Sequence, residues 1–182
     1  MRFPMGTLDG RRVAILATDG VEEVELTQPR DAVTEAGATA EIVSLDDGEI
    51  QAMNGDIEPA GKYRVDRRAA DVSASDYDAL IMPGGTVNAD RLRMDDDVLR
   101  FVKDVFAAGK PVGAICHAPW TLVEAGLVEG RTLTSFPSLR TDIRNAGGNP
   151  VDEEVATDGA LVTSRNPGDL PAFCAAIVKA FA

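Results

Sequence analysis

Short apolar runs alternate along the chain with longer segments in which apolar residues recur every three or four positions. Residues 12–17, Arg-Val-Ala-Ile-Leu-Ala, show no polar alternation, which predicts a strand covered on both faces, and residues 24–36, closed by Gly37, read as the following helix. A second strand is predicted over 39–44. The stretch 46–68 is polar and punctuated by glycine, with extended pieces around Ile50 and 63–65 that suggest an excursion or a lid. The core pattern resumes with a strand over 79–82, ending in Pro83-Gly84-Gly85. A helix over 95–108 has Asp95 at its start and an apolar stripe of Val98, Phe101, Val102, Val105 and Phe106. A buried strand over 112–115 leads into a helix that begins at Pro119 and stops at Gly126. Beyond it come a short strand over 132–134, a helix over 138–146, a hairpin turning at Asp158-Gly159 and a last helix over 169–181. This alternation predicts an α/β fold: a three-layer α-β-α sandwich on a mostly parallel, flavodoxin-like sheet. Ligands of such sheets gather at the carboxyl ends of the strands, where Cys116, Gly84-Gly85 and the loop after Ala17 would all lie.

Composition narrows the picture. At 182 residues and 45% hydrophobic content there is enough chain for one sizeable core, so residues 11–182 read as a single domain after a tail of residues 1–10. No apolar run approaches the ~20 residues that span a bilayer, and the first ten residues lack a signal-peptide pattern, so a cytoplasmic protein is expected. Two cysteines far apart do not form a disulfide framework, and a single histidine excludes the usual zinc sets; no metal and no cofactor are expected. A net charge of −12 opposes binding to nucleic acid or anionic membranes, which clustered Lys and Arg would supply. Small molecules or protein surfaces are the better partners.

The candidate chemistry centres on Cys116-His117-Ala118-Pro119, where the only histidine sits beside a cysteine at a strand-to-helix turn. The turn has the layout of a nucleophile elbow, with cysteine as nucleophile, and the amides of a helix start favour thiolate over thiol. In Glu22-Glu23-Val24-Glu25 the spacing puts Glu22 and Glu25 on one side of a helical turn and Glu23 elsewhere. The spacing alone favours a solvated helix-start face for all three. Gly84-Gly85 would let backbone amides approach a reacting carbonyl, with Gly85 and an elbow amide as an oxyanion hole, although a plain tight turn also uses Gly-Gly. Cys174 falls on the apolar stripe of the last helix with Leu170, Phe173, Ile177, Val178 and Phe181, which makes it a core residue, and Trp120 reads as packing under the elbow.

The chain resembles the PfpI family of intracellular cysteine proteases and protein deglycases, within the class I glutamine amidotransferase-like superfamily. The resemblance is carried by residues 21–26 (VEEVEL), 77–85 (YDALIMPGG), 109–112 (GKPV), the Ile115-Cys116-His117 elbow and 134–139 (TSFPSL). It implies Cys116 as nucleophile, His117 as general base and acid, and Glu25 as a carboxyl that hydrogen-bonds the sulfur, with Glu22 left open as a second acid. It also implies a carboxylate for His117 from a neighbouring subunit, where Asp90 is the matching acid; a surface charge is the other reading of that residue. Homodimers, which in the family assemble further into hexamers, are expected, and the substrate would be a small carbonyl compound, a glyoxal-derived adduct or a peptide. A stress-responsive redox or chaperone-like protein with an oxidisable Cys116 is the alternative. A glutamine amidotransferase is disfavoured, because no histidine follows His117. Ala118 stands where many relatives have glycine, so substrate preference does not transfer intact.

Overall fold

In the computed structural model, which describes residues 6–182, the first apolar run is strand β1 (Arg12–Leu16), followed by helix α1 (Glu23–Glu35) and strand β2 (Thr39–Ser44). The polar stretch after β2 is a hairpin of β3 (Glu49–Asn54) and β4 (Glu58–Arg64), then a two-residue strand β5 (Arg67–Arg68). Next come β6 (Ala79–Met82), α2 (Thr86–Leu92), α3 (Asp96–Ala107), β7 (Val112–Ile115) and α4 (Pro119–Glu124). The chain ends with β8 (Thr132–Leu133), α5 (Arg140–Asn145), β9 (Asn149–Pro150), the hairpin β10 (Ala156–Asp158) and β11 (Leu161–Ser164), and α6 (Leu170–Phe181). Helix α2 was not expected from the pattern: its Thr86-Val87-Asn88 start has no apolar periodicity long enough to register. The expected helix over 138–146 divides into a 3-10 turn at Pro137–Leu139 and α5.

The main sheet runs β10-β11-β7-β6-β1-β2-β5, parallel throughout except for β10. Side chains leave a strand on alternate faces, so β1 feeds both cores. Val13 and Ile15 join Leu26 and Val33 of α1 and Phe173 and Ile177 of α6. Ala14 and Leu16 join Phe101 and Val102 of α3, Leu122 of α4 and Ile143 of α5. Gly113 in β7 lets α6 approach: a Cβ there would stand 2.6 Å from Ile177 and 3.1 Å from Phe173. Asp95 caps α3 by accepting the Val98 N–H at 2.9 Å.

Two features position the site. The β3–β4 hairpin is fastened to the loop after β1, with Gly20 N–H donating to Gln51 O at 2.9 Å, Met53 N–H to Val21 O at 2.8 Å and Gln51 N–H to Asp19 Oδ1 at 2.8 Å. Its tip, Gly55-Asp56, is thereby held beside the start of α1, as a fixed wall. The second is the chain start. Leu8 is fully buried and donates its N–H to Ala36 O at 2.8 Å, so residues 6–10 of the expected tail pack on the domain, while residues 1–5 of it lie outside the described residues. Among the described residues no helix is long and apolar enough to cross a membrane.

Candidate active site

The strand order reverses around β1, and the loops after β1, β6 and β7 meet at the carboxyl edge of the sheet. Cys116 directly follows β7 with φ of 63°, a left-handed conformation that costs an L-residue about 1–2 kcal/mol. Its backbone is fixed on both sides: the N–H donates to Ser164 O at 3.1 Å and the carbonyl accepts the Phe136 N–H at 2.9 Å. The strained turn aims Sγ into a cavity of about 330 Å³ and hands the chain to α4, with Pro119 in its first turn.

His117 Nδ1 stands 3.1 Å from Cys116 Sγ. The ring stacks on Phe136, centroids 4.6 Å apart, and meets Trp120 edge-on at 5.2 Å. Trp120 is anchored in turn by its indole N–H, which donates to Asp142 Oδ2 at 2.9 Å, so this tryptophan packs on the imidazole itself. On the far side of the ring, Nε2 lies 3.4 Å from Thr86 Oγ1. The Thr86 hydroxyl is 2.7 Å from Asp56 Oδ2, and Asp56 Oδ1 accepts the Thr86 N–H at 2.8 Å. Burial lowers the His117 pKa and the Asp56 charge opposes that, leaving a neutral imidazole near pH 7.

Glu25 is fully buried. Its Oε2 accepts the Gly84 N–H at 2.8 Å, its Oε1 has no nitrogen or oxygen partner, and the carboxyl interacts with the Cys116 thiol. Burial pushes its pKa up to about 8; the Gly84 hydrogen bond opposes the shift and the Glu22 charge adds to it. The carboxyl is therefore neutral near pH 7 and able to donate. Glu22 lines the same cavity and accepts the Gly55 N–H at 3.0 Å, whereas Glu23 turns away to the Gly61 N–H and the Tyr63 hydroxyl. The three acids thus divide as their helical spacing predicts, and none of the three is merely a solvated charge.

The two glycines have different tasks. A Cβ on Gly84 would collide with the Glu25 carboxyl and with Cys116 Cβ, so no other residue fits between them. The Gly84 N–H is committed to Glu25, which corrects the expectation that both glycines contribute amides to an oxyanion site. The amides that face the sulfur are those of Gly85 and His117. They do not make Cys116 a resting thiolate. Burial, and next the charge of Glu25 when ionised, push the thiol up, and these outweigh the two amides. The helix-start argument fails here because Cys116 is 6% exposed and α4 has only six residues. The nearest base to the thiol is His117, its Nδ1 3.1 Å from Sγ.

The chain as a whole has known counterparts. The chain matches the DJ-1/PfpI family over residues 11–180. It belongs to the DJ-1/PfpI family. It is 41% identical to YraA of Bacillus subtilis, named as a candidate cysteine protease, over 90% of this chain and 94% of that protein. It is 36% identical to the deglycase PfpI of Pyrococcus furiosus, over 92% of this chain and 98% of that one. Among solved structures, Drosophila melanogaster DJ-1beta superposes with a TM-score of 0.85 at 28% identity, covering 94% of this chain and 90% of that chain. The flavodoxin-like α/β fold is shared with it. The activity that this DJ-1/PfpI member shares with its relatives is cysteine-dependent hydrolysis of the PfpI type.

Asp90 lies on the exposed face of α2 and does not line the cavity of its own chain. Cys174 is buried among α6 side chains, and burial raises its thiol pKa to about 12. Five cavity residues escaped the sequence reading as site members: Gly55, Asp56, Thr86, Phe136 and Pro167. Phe136 lies inside the TSFPSL motif and was within reach. Asp56 carries only the signal of a turn, Asn54-Gly55-Asp56, and its φ of 66° suits the tip of a hairpin wherever that hairpin folds.

Proposed function

We propose that this DJ-1/PfpI protein is a cysteine hydrolase acting on small uncharged carbonyl compounds and on glyoxal-derived adducts, with peptide bonds as its poorer substrates. The observation that carries this reading is the cavity itself. It has about 330 Å³, and its described lining contains Glu22, Glu25 and Asp56 but no lysine or arginine. Such a space suits a few heavy atoms and repels carboxylate- or phosphate-bearing substrates. In the reaction, Nδ1 of His117 takes the thiol proton as Sγ bonds to the carbonyl carbon. The C=O π electrons move to oxygen, and the developing negative charge is met by the Gly85 and His117 amides. From a peptide or adduct the oxyanion re-forms the C=O bond as the C–N bond breaks, His117 gives its proton to the leaving nitrogen, and water then cleaves the thioester and restores the thiol. From a 2-oxoaldehyde nothing departs, and a proton shift from the thiohemiacetal carbon to its neighbour gives a 2-hydroxyacyl thioester that water cleaves in the same way.

The test is a panel: methylglyoxal, a methylglyoxal-modified peptide, and the unmodified peptide with a chromogenic leaving group. Carbonyl consumption or adduct removal should exceed peptide cleavage at least tenfold in kcat/KM. Cleavage of the unmodified peptide at the highest kcat/KM would replace this reading with a peptidase. A redox-sensing role is the second reading, favoured by the neutral Glu25 carboxyl beside the sulfur, which would donate to an oxygen added there. Both readings use a free thiol and a cytoplasmic setting.

The assembly is part of the proposal. Val87 on α2 and Met94, two residues past its end, stand on either side of Asp90 in the chain and are 44% and 79% exposed, and Ile57 at 81% follows the hairpin tip. Association of copies through this side, as homodimers or hexamers, would cover apolar surface and bring Asp90 towards a neighbouring cavity. Mixing Cys116→Ala and Asp90→Ala proteins under subunit exchange should then restore part of the activity that each lacks. Full activity of Asp90→Ala alone would remove that carboxylate from the site.

A further inference from the structure

We propose that Asp56 and Thr86 of the same chain fix the tautomer of His117, and are positioning residues for the Cys116–His117 pair. This rests on the reading that His117 is the base, and it follows from counting protons. A carboxylate is an acceptor only, and a threonine hydroxyl has a single proton. At 2.7 Å from Asp56 Oδ2 the Thr86 hydroxyl must be the donor, so its proton is committed to the carboxylate. Towards His117 Nε2, 3.4 Å away, Oγ1 can then only accept. Nε2 therefore carries the ring proton. Nδ1 is left bare, facing Cys116 Sγ at 3.1 Å, in the state needed to take the thiol proton. The distance to Nε2 is long for a hydrogen bond, as such contacts commonly are before substrate binds.

The surroundings are built to hold this geometry. Asp56 adopts φ of 66°, a conformation that aspartate tolerates better than most residues, and both of its oxygens are spent on Thr86, one on the N–H and one on the hydroxyl. Glu22 holds the adjoining Gly55 N–H, and the hairpin is bonded to the loop after β1. The ring cannot swing away, because Phe136 and Trp120 enclose it. An imidazole next to its nucleophile in sequence is thus oriented without a second subunit. Any contribution of Asp90 would be separate from setting the tautomer.

The single histidine makes the test direct. In protein labelled with ring-15N histidine there is one Nδ1 and one Nε2 resonance. At neutral pH the wild type should show a pyrrole-type Nε2 and a pyridine-type Nδ1. Thr86→Ser keeps the hydroxyl and should keep both signals. Thr86→Val removes the acceptor and should give averaged or exchanged signals. In Asp56→Asn the amide nitrogen can donate to Thr86 Oγ1, freeing the hydroxyl proton for Nε2 and shifting the ring towards the unproductive Nδ1–H form. Both impaired variants should lose at least tenfold in kcat with KM changed less than threefold, because the mis-set base affects proton transfer and not binding. Asp90→Asn should leave the ring signals unchanged. The proposal is overturned by an Nδ1–H wild type, by wild-type ring signals in both Thr86→Val and Asp56→Asn, or by a tautomer that follows Asp90 instead. Since the spectra need no substrate, they separate the two ideas: ring signals that shift as expected with kcat unchanged would uphold the tautomer control and reject His117 as the base.

Discussion

Cys116→Ala should reduce turnover on every carbonyl substrate by at least about 10³-fold, the scale seen when a covalent nucleophile is removed, and should leave the fold intact. The cause is local. Sγ is the one nucleophile facing His117 Nδ1 among the described cavity residues, and Cys174, buried on α6, does not line that cavity. Stability responds differently. The φ of 63° remains a strain on alanine, whereas Cys116→Gly releases about 1 kcal/mol of it and loses a comparable amount of side-chain burial. Both variants should therefore unfold in urea within about 1 kcal/mol of the wild type while sharing the catalytic loss. Activity within tenfold of wild type in either one would remove Cys116 from the reaction.

Glu25 should make the wild-type fold less stable as pH rises from about 4.5 to 8. The carboxyl titrates near its ordinary value of 4.5 when the chain is unfolded and at about 8 when folded, because burial disfavours its charge. Between those values the folded state holds up to one more proton than the unfolded state, so stability falls with increasing pH. The contribution is complete below 4.5 and has been lost once pH passes 8. At about 1.4 kcal/mol for each pH unit over this interval, the swing is on the order of 5 kcal/mol. Glu25→Gln keeps an oxygen for the Gly84 N–H and a donor for the sulfur but cannot ionise, so it removes the swing. Other titrating groups are common to both proteins and cancel in the difference. Urea midpoints at pH 5, 7 and 9 should show Glu25→Gln gaining on the wild type at each step and exceeding it at pH 9. Parallel curves would mean that Glu25 has an ordinary pKa, and that it is not a proton donor to the sulfur.

Much of this molecule was legible in the sequence because its signals are local. The apolar run at β1, the stripe of α3 and the Asp158-Gly159 turn each depend on neighbouring residues, and they form where expected. The strand-to-helix turn at Cys116, with Pro119 opening α4, is equally local. So is the division of Glu22 and Glu25 from Glu23, which needs only the period of a helix. Helix α2 was missed because its seven residues are too few for that period to show.

What the tertiary structure decided are the properties that depend on distant segments meeting. Burial sets the protonation of the site: the helix-start rule favours a thiolate at Cys116, but desolvation outweighs it, and no local pattern reports how much water a turn will exclude. The Gly84 amide looked available to a substrate until Glu25 arrived from α1 to take it. Asp56 reaches His117 through Thr86 only because the hairpin folds back over the loop after β1, a closure fixed by backbone hydrogen bonds between segments that carry no mark of each other in sequence. The sequence by itself determined most of the elements and the strand-to-helix turn that carries Cys116, since periodicity and turn chemistry act over a few residues. The charge states and the orientation of His117 come from packing, because electrostatics and desolvation act through space.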